Sequence, residues 1–180
     1  LMFCPLVENT AECLAATQLL AAFLEPTFFR QYRVEKNIGY VVSCRFHQTA
    51  RQSGLLFALQ SPAYDTEALL GFIGDFIADI PALVAEISAE ALTEKRGALR
   101  ESLSVKPADR LEAARQQWLE EFAYAPEWNE ESVAAITTEQ LLACVRQTDN
   151  VLSGEGEDCF ILKTPSPPPP SQGEEQTQYP

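Results

Sequence analysis

One histidine, His47, stands in 180 residues. Neither H-x-x-H nor H-x-x-E-H can be written, so no His-based catalytic zinc site of that kind fits inside the chain. Bases are scarce too: 13 Lys and Arg stand against 26 Asp and Glu, a formal net charge of −13. That balance argues against nucleic acid or an anionic membrane as a partner. G-x-G-x-x-G and the phosphate-cradling P-loop are both missing. No apolar run approaches the roughly 18–20 residues of a membrane-spanning helix. The opening "LMFCPLVEN" has no basic stretch and no small-residue cleavage site, so it does not read as a signal peptide. It begins without Met, inside what reads as a strand, and the expectation is a fragment of a longer chain. The cysteines are Cys4, Cys13, Cys44, Cys144 and Cys159, odd in number and widely spaced, with no C-x-x-C. This argues against a disulfide framework or a structural zinc and for free buried thiols in a reducing compartment.

What is present reads as one ordinary globular domain, 46% hydrophobic and 22% charged, with a tail. "LMFCPL" predicts a short buried strand ended by Pro5. Asn9 or Thr10 offers an N-cap, with Asn9 and Glu12 resembling a capping box, to a long Ala- and Leu-rich helix that Pro26 should kink or divide. After Gly39, "YVVSCRFH" alternates Tyr40, Val42, Cys44 and Phe46 on one face with Val41, Ser43, Arg45 and His47 on the other. "GLLFALQS" places Leu55, Phe57 and Leu59 on one face. The polar "QTARQSG" between them predicts a hairpin loop. Asp65 caps a helix whose stripe is Leu69, Ile73, Phe76, Ile77 and Ile80. Ser88 caps another over 89–103, and Pro107 opens a third with Leu111, Ala114, Trp118 and Phe122 on one face. Short helices near 128–135 and 138–147 and a strand at 158–163 complete the pattern. Strands and helices come in runs, so the fold class is α+β: two layers, a mostly antiparallel sheet with helices on one face. The domain covers 1–163. Residues 164–180, "TPSPPPPSQGEEQTQYP" from Thr164, read as a disordered Pro-rich tail.

Chemistry is sparse. Glu120/Glu121 and Glu130/Glu131 fall on polar helix faces. His47 reads as a surface imidazole at a strand end. Cys144 or Cys159 as nucleophile with His47 as base has no supporting spacing, and a thiol enzyme on Cys44 or Cys144 is a third reading. The distinctive stretch is "RQYRVEKNIGYVVSCRF", residues 30–46. Between Phe28 and Arg51 lie five bases (Arg30, Arg33, Lys36, Arg45, Arg51) and one acid, Glu35. Arg33 and Tyr40 are both donors to a peptide carbonyl, and neither is a general base at neutral pH. They suit the orientation of an extended substrate and the stabilisation of charge on its oxygen. The other reading is structural: Arg33 caps helix carbonyls or pairs with Glu35, and Tyr40 fills the sheet edge.

"YRVEKNIGYVVSCRF", then "GLLFALQSP", then an amphipathic helix, resembles the C-terminal region of the pitrilysin/insulinase family of zinc metallopeptidases. The pattern is Arg, six residues ending in Gly, Tyr, an apolar strand and a partner strand ending in Gln-Ser. The resemblance covers roughly 1–150 and is strong at 28–62. It implies the last of four related α+β domains in a clamshell. The zinc would sit in the N-terminal domain of the full protein, not in this chain, and this segment alone would be inactive. It implies an N-terminal zinc-bearing half and a small peptide as partners. Arg33 and Tyr40 would act on the substrate backbone, with Arg45 as a further substrate contact and Arg51 as an attractor of acidic peptide residues. The alternative is a non-catalytic interaction or scaffold subunit of the same fold.

Overall fold

The computed structural model describes residues 1–6, 10–49, 52–104, 108–111, 113–114, 130–152 and 160–161. The elements are β1 (Met2–Pro5), α1 (Ala11–Phe29) with a π-helical turn (Arg30–Glu35), β2 (Val41–Thr49), β3 (Gln52–Gln60), α2 (Thr66–Ala85), α3 (Ala89–Ser104), α4 (Glu130–Ala134), α5 (Thr138–Leu152) and β4 (Phe160–Ile161). The four strands form one antiparallel sheet in the order β2-β3-β1-β4. Helix α1 packs on β2 and β3, and its other sides meet α3, α4 and α5. This is the expected α+β arrangement.

Thr10 caps α1, its hydroxyl accepting the Cys13 N–H at 3.2 Å. The helix is buried on most of its circumference, from Leu14 through Leu20 and Leu24 to Phe28. Pro26 does not divide it. Pro26 is exposed, on a side where a carbonyl deprived of its N–H partner can turn to water. The departure from α geometry comes later, where Lys36 N–H reaches back five residues to the Gln31 carbonyl at 3.0 Å.

The hairpin is tighter than its polar residues suggest. β2 and β3 pair without a break from Val41↔Gln60 to Thr49↔Gln52. Gln48, Thr49, Gln52 and Ser53 carry loop chemistry, yet ladder bonds satisfy their backbone as well as a loop would. Gly54 lies inside β3 because β1 crosses there: a Cβ would stand 2.1 Å from the Cys4 carbonyl oxygen.

Asp65 caps α2 by accepting the Ala68 N–H at 2.9 Å. Ile73, Phe76, Ile77, Ile80 and Val84 are its buried stripe; Leu69 is only partly covered. By length and composition alone α2 is apolar enough to cross a membrane, at 20 residues and mean hydropathy 1.8. This corrects the expectation that no such run exists. Asp75 and Asp79 interrupt its apolar run; both are exposed, opposite the stripe that enters the core. Ser88 caps α3 through the Ala91 N–H at 3.1 Å, and Arg96 ties α3 to the end of α4 through the Ala134 and Ile136 carbonyls at 3.0 and 3.1 Å. Thr137 and Gln140 form a reciprocal capping box before α5. Leu111, expected on an apolar face, is 80% exposed; Trp118 and Phe122, the capping-box Asn9, and the tail at 164–180 lie outside the described residues.

The core gathers around Phe28. Its ring meets Tyr32 at 4.9 Å, Phe76 at 4.8 Å and Phe57 at 5.6 Å between centroids, joining α1, α2 and β3. The π-helical turn therefore starts from a fixed base.

Candidate functional site

The site grows out of that turn. Tyr32 is fully buried beneath it, and its hydroxyl donates to the Phe72 carbonyl of α2 at 2.5 Å. The Lys36 ammonium lies over the Tyr32 and Phe72 rings, 4.9 and 5.0 Å from their centroids. The chain then reverses. Asn37 takes φ 47°, the left-handed region that Asn tolerates better than most residues. Ile38 is buried and its N–H returns to the Tyr32 carbonyl at 2.9 Å. Its own carbonyl accepts the Ser61 hydroxyl at 2.5 Å. The same Ser61 oxygen accepts the N–H groups of Ala63 and Tyr64 at 3.1 and 3.3 Å. Gly39 follows, with the place for a Cβ only 1.8 Å from the Gln60 carbonyl oxygen. Thus Gly39 and the Gln60-Ser61 pair are two sides of one junction between the turn and the end of β3.

That junction sets Arg33 beside Tyr40. Arg33 Nη1 donates to the Gly39 carbonyl, and the guanidinium carbon stands 5.2 Å from the centre of the Tyr40 ring. The bond uses one of five guanidinium donors. Tyr40 is 83% exposed at the head of β2. The structural alternative read from the sequence does not describe this arrangement. Glu35 faces Arg30, at 3.6 Å between Oε1 and Nε in an exposed pair, a geometry of little energetic weight. Arg33 holds a loop carbonyl, and Tyr40 stands in solvent.

Arg45 is not part of this pair. It lies five residues along β2 from Tyr40, roughly 17 Å at the rise of a strand, exposed and on the face opposite the buried Val42 and Cys44. Arg51 lies outside the described residues. Ser61, Lys36 and Tyr32 were missed as supports of the site. The signal for Ser61 was present, because Gln-Ser belongs to the motif, but the carbonyl it holds is 23 residues away in sequence.

Burial pushes the Tyr32 phenol up to about 12, and the carboxylates of Asp75 and Asp79 add to it. The folded chain keeps the proton after the unfolded chain has lost it. Stability is therefore fully present below about pH 10 and is lost as pH rises through the window from about 10 to 12. Tyr32→Phe should flatten that loss, read as urea midpoints measured across the window. Identical slopes in the two proteins would remove Tyr32 as the cause.

The thiols are placed for packing. Cys44 and Cys144 are buried. Burial pushes the Cys44 thiol far up, with Glu25 adding to it. Burial also raises Cys144, with Cys13 adding to the shift, against the Thr17 hydroxyl that donates to its sulfur at 3.7 Å. His47 is half-buried, its ring edge-on to Phe3 at 6.0 Å, which corrects the surface imidazole expected for it. It also points to the face of β2 away from Cys44. Cys159 lies outside the described residues. Iodoacetamide should modify Cys44 and Cys144 only as fast as the fold opens, followed by mass spectrometry of quenched samples. Rapid native labelling of either would revive a thiol chemistry. Among the described residues no group of three or more His, Cys, Asp and Glu that could hold a metal ion occurs.

Comparison with known proteins gives the family. Residues 19–118 match the PQQ synthase PqqF-like family, C-terminal lobe domain 4. The chain is 37% identical over 120 residues to coenzyme PQQ synthesis protein F of Pseudomonas aeruginosa, covering 67% of this chain and 16% of that protein. It is 40% identical over 118 residues to the protein of the same name from Klebsiella pneumoniae, covering 66% of this chain and 15% of that one. The crystal structure of pitrilysin superposes with a TM-score of 0.69 at 20% identity, over 81% of this chain and 16% of pitrilysin, which shows a shared fold. The chain thus spans about a sixth of the length of these relatives. With the Arg33–Gly39–Tyr40 junction and the paired β2–β3 hairpin inside the matched segment, the chain belongs to the PqqF-like family of pitrilysin-fold proteins, as a C-terminal lobe domain 4.

Proposed function

We propose that this chain is the substrate-binding, catalysis-supporting domain of a zinc metalloendopeptidase that cleaves a small peptide. The proposed substrate is the precursor peptide of the PQQ cofactor, and the proposed location is the cytoplasm. The observation that carries the reading is the Arg33–Tyr40 pair: a cation and a phenol 5.2 Å apart on a junction braced from three sides. Donors held this way cost little reorganisation when charge develops on a carbonyl oxygen, which is the condition for electrostatic catalysis. Arg33 and Tyr40 donate to the substrate backbone and move no proton to or from the reacting centre. Zinc and the water it activates belong to an N-terminal partner half.

The test is an add-back assay. This chain, as wild type or as Arg33→Ala/Tyr40→Phe, is combined with a zinc-bearing half, and cleavage of a short peptide is followed. Rescue by wild type and not by the double variant is the expected result. Equal rescue by both would leave Arg33 and Tyr40 as structural. Failure of folded wild type to rescue would leave a docking or scaffold module of the same fold.

A further inference from the structure

The edge of β2 is the longest strand edge without a strand neighbour among the described residues. β2 has one strand neighbour among the described residues, β3, and the sheet ends with it on that side. The pairing from Val41 to Thr49 has no bulge, and the strand contains no proline. Bulges, prolines and short length, three of the devices that stop an edge from recruiting another strand, are not used here. The other edge, β4, has two residues.

Charge distinguishes this edge from the rest of the molecule. Residues 36–64, which include both strands of the hairpin, contain Lys36, Arg45 and Arg51 and not a single Asp or Glu. The remainder of the chain therefore carries all 26 acids. Arg45 is exposed midway along β2, and Arg33 and Tyr40 stand at its head.

We infer that the open edge of β2 takes an extended, acidic peptide segment as an added strand, which runs from the Arg33–Tyr40 pair past Arg45. Main-chain hydrogen bonds to the edge give affinity without regard to side chains, and the bases select for acids. The nine residues of β2 offer a length of roughly 27 Å, room for about eight residues of a partner strand. This deepens the peptide-handling reading and rests on it for the identity of the occupant. It also gives Arg45 a role, although Arg45 lies far from Tyr40.

The test uses binding without cleavage. A fluorescent ten-residue peptide of alternating Glu and Val is titrated into the chain and read by anisotropy. Two further peptides carry backbone N-methyl groups on alternate amides, one set for each edge of the peptide. Strand addition uses one edge of the ligand. One methylated peptide should therefore lose affinity at least tenfold and the other about twofold or less. Arg45→Glu should weaken the acidic peptide about tenfold and leave an alternating Thr-Val peptide unchanged. Hydrogen exchange should slow at alternate amides of Val41–Thr49 when the parent peptide is bound. Equal binding of both methylated peptides, or no binding of the parent to folded chain, would overturn the inference. Edge-specific binding with no rescue in the add-back assay would instead leave strand addition standing and sink the peptidase reading.

Discussion

On the proposed function, Arg33→Ala should lower peptide cleavage in the add-back assay about 10²-fold, in kcat more than in KM. The magnitude is that of removing one preorganised donor from a developing oxyanion, roughly 2.7 kcal/mol. The split between the two constants follows from where the interaction is made. Loss of a donor that held the ground state and the transition state equally would raise KM and leave kcat alone. Arg33 is positioned to do more, because Gly39 and the Tyr40 ring fix it before substrate arrives. Arg33→Lys restores charge but neither the planar fork nor the stacking on Tyr40, so it should recover only a small part of the loss. Tyr40→Phe keeps the ring and removes the hydroxyl. It should leave stability unchanged, since Tyr40 is 83% exposed, and still reduce kcat. A thermal unfolding series beside the kinetics separates the roles. Arg33→Ala that melts far below wild type and cleaves at the wild-type rate once folded would return Arg33 to a structural part.

The parts of this fold that could be read from sequence are those with local causes. Thr10, Asp65 and Ser88 cap helices through side chains three residues from the amides they accept. The β2 alternation follows from a pleat whose period is two. The stripe from Ile73 to Ile80 follows from the helical repeat. What escaped has distant causes. Pro26 was expected to break α1 because its residue type forbids one hydrogen bond, but which side of the helix faces water depends on the sheet. Gln48, Thr49, Gln52 and Ser53 read as loop because polar residues favour loops, and cross-strand pairing prevailed. At the site, the Arg and Tyr spacing was visible and its geometry was not. One π-helical turn, one left-handed Asn37 and one carbonyl of Gln60 decide that the two side chains meet. The last of these lies outside the segment 30–40.

Gly39→Ala tests that last point more severely than any change to Arg33 or Tyr40. The added Cβ would sit 1.8 Å from the Gln60 carbonyl oxygen and 3.0 Å from Ser61 Cα, both main-chain atoms with no rotamer to yield. The junction must open. Opening it strains the Ser61 bond to Ile38 and shifts the Gly39 carbonyl that holds Arg33. The expected cost is about 3 kcal/mol, the upper range for inserting one methyl group into a packed site. Cleavage should fall at least as far as in Arg33→Ala, although no substrate-contacting side chain has changed. The comparison variant is Gly97→Ala in α3, where a Cβ meets nothing within 4 Å. There the substitution should stabilise by about 0.4–1 kcal/mol, since alanine restricts the unfolded chain and suits a helix. The opposite signs come from one chemical change at two places, so a general effect of replacing glycine cannot produce both. Two variants that unfold at the same temperature would mean that β3 and the turn are not in contact at Gly39, and the preorganisation of Arg33 would lose its basis.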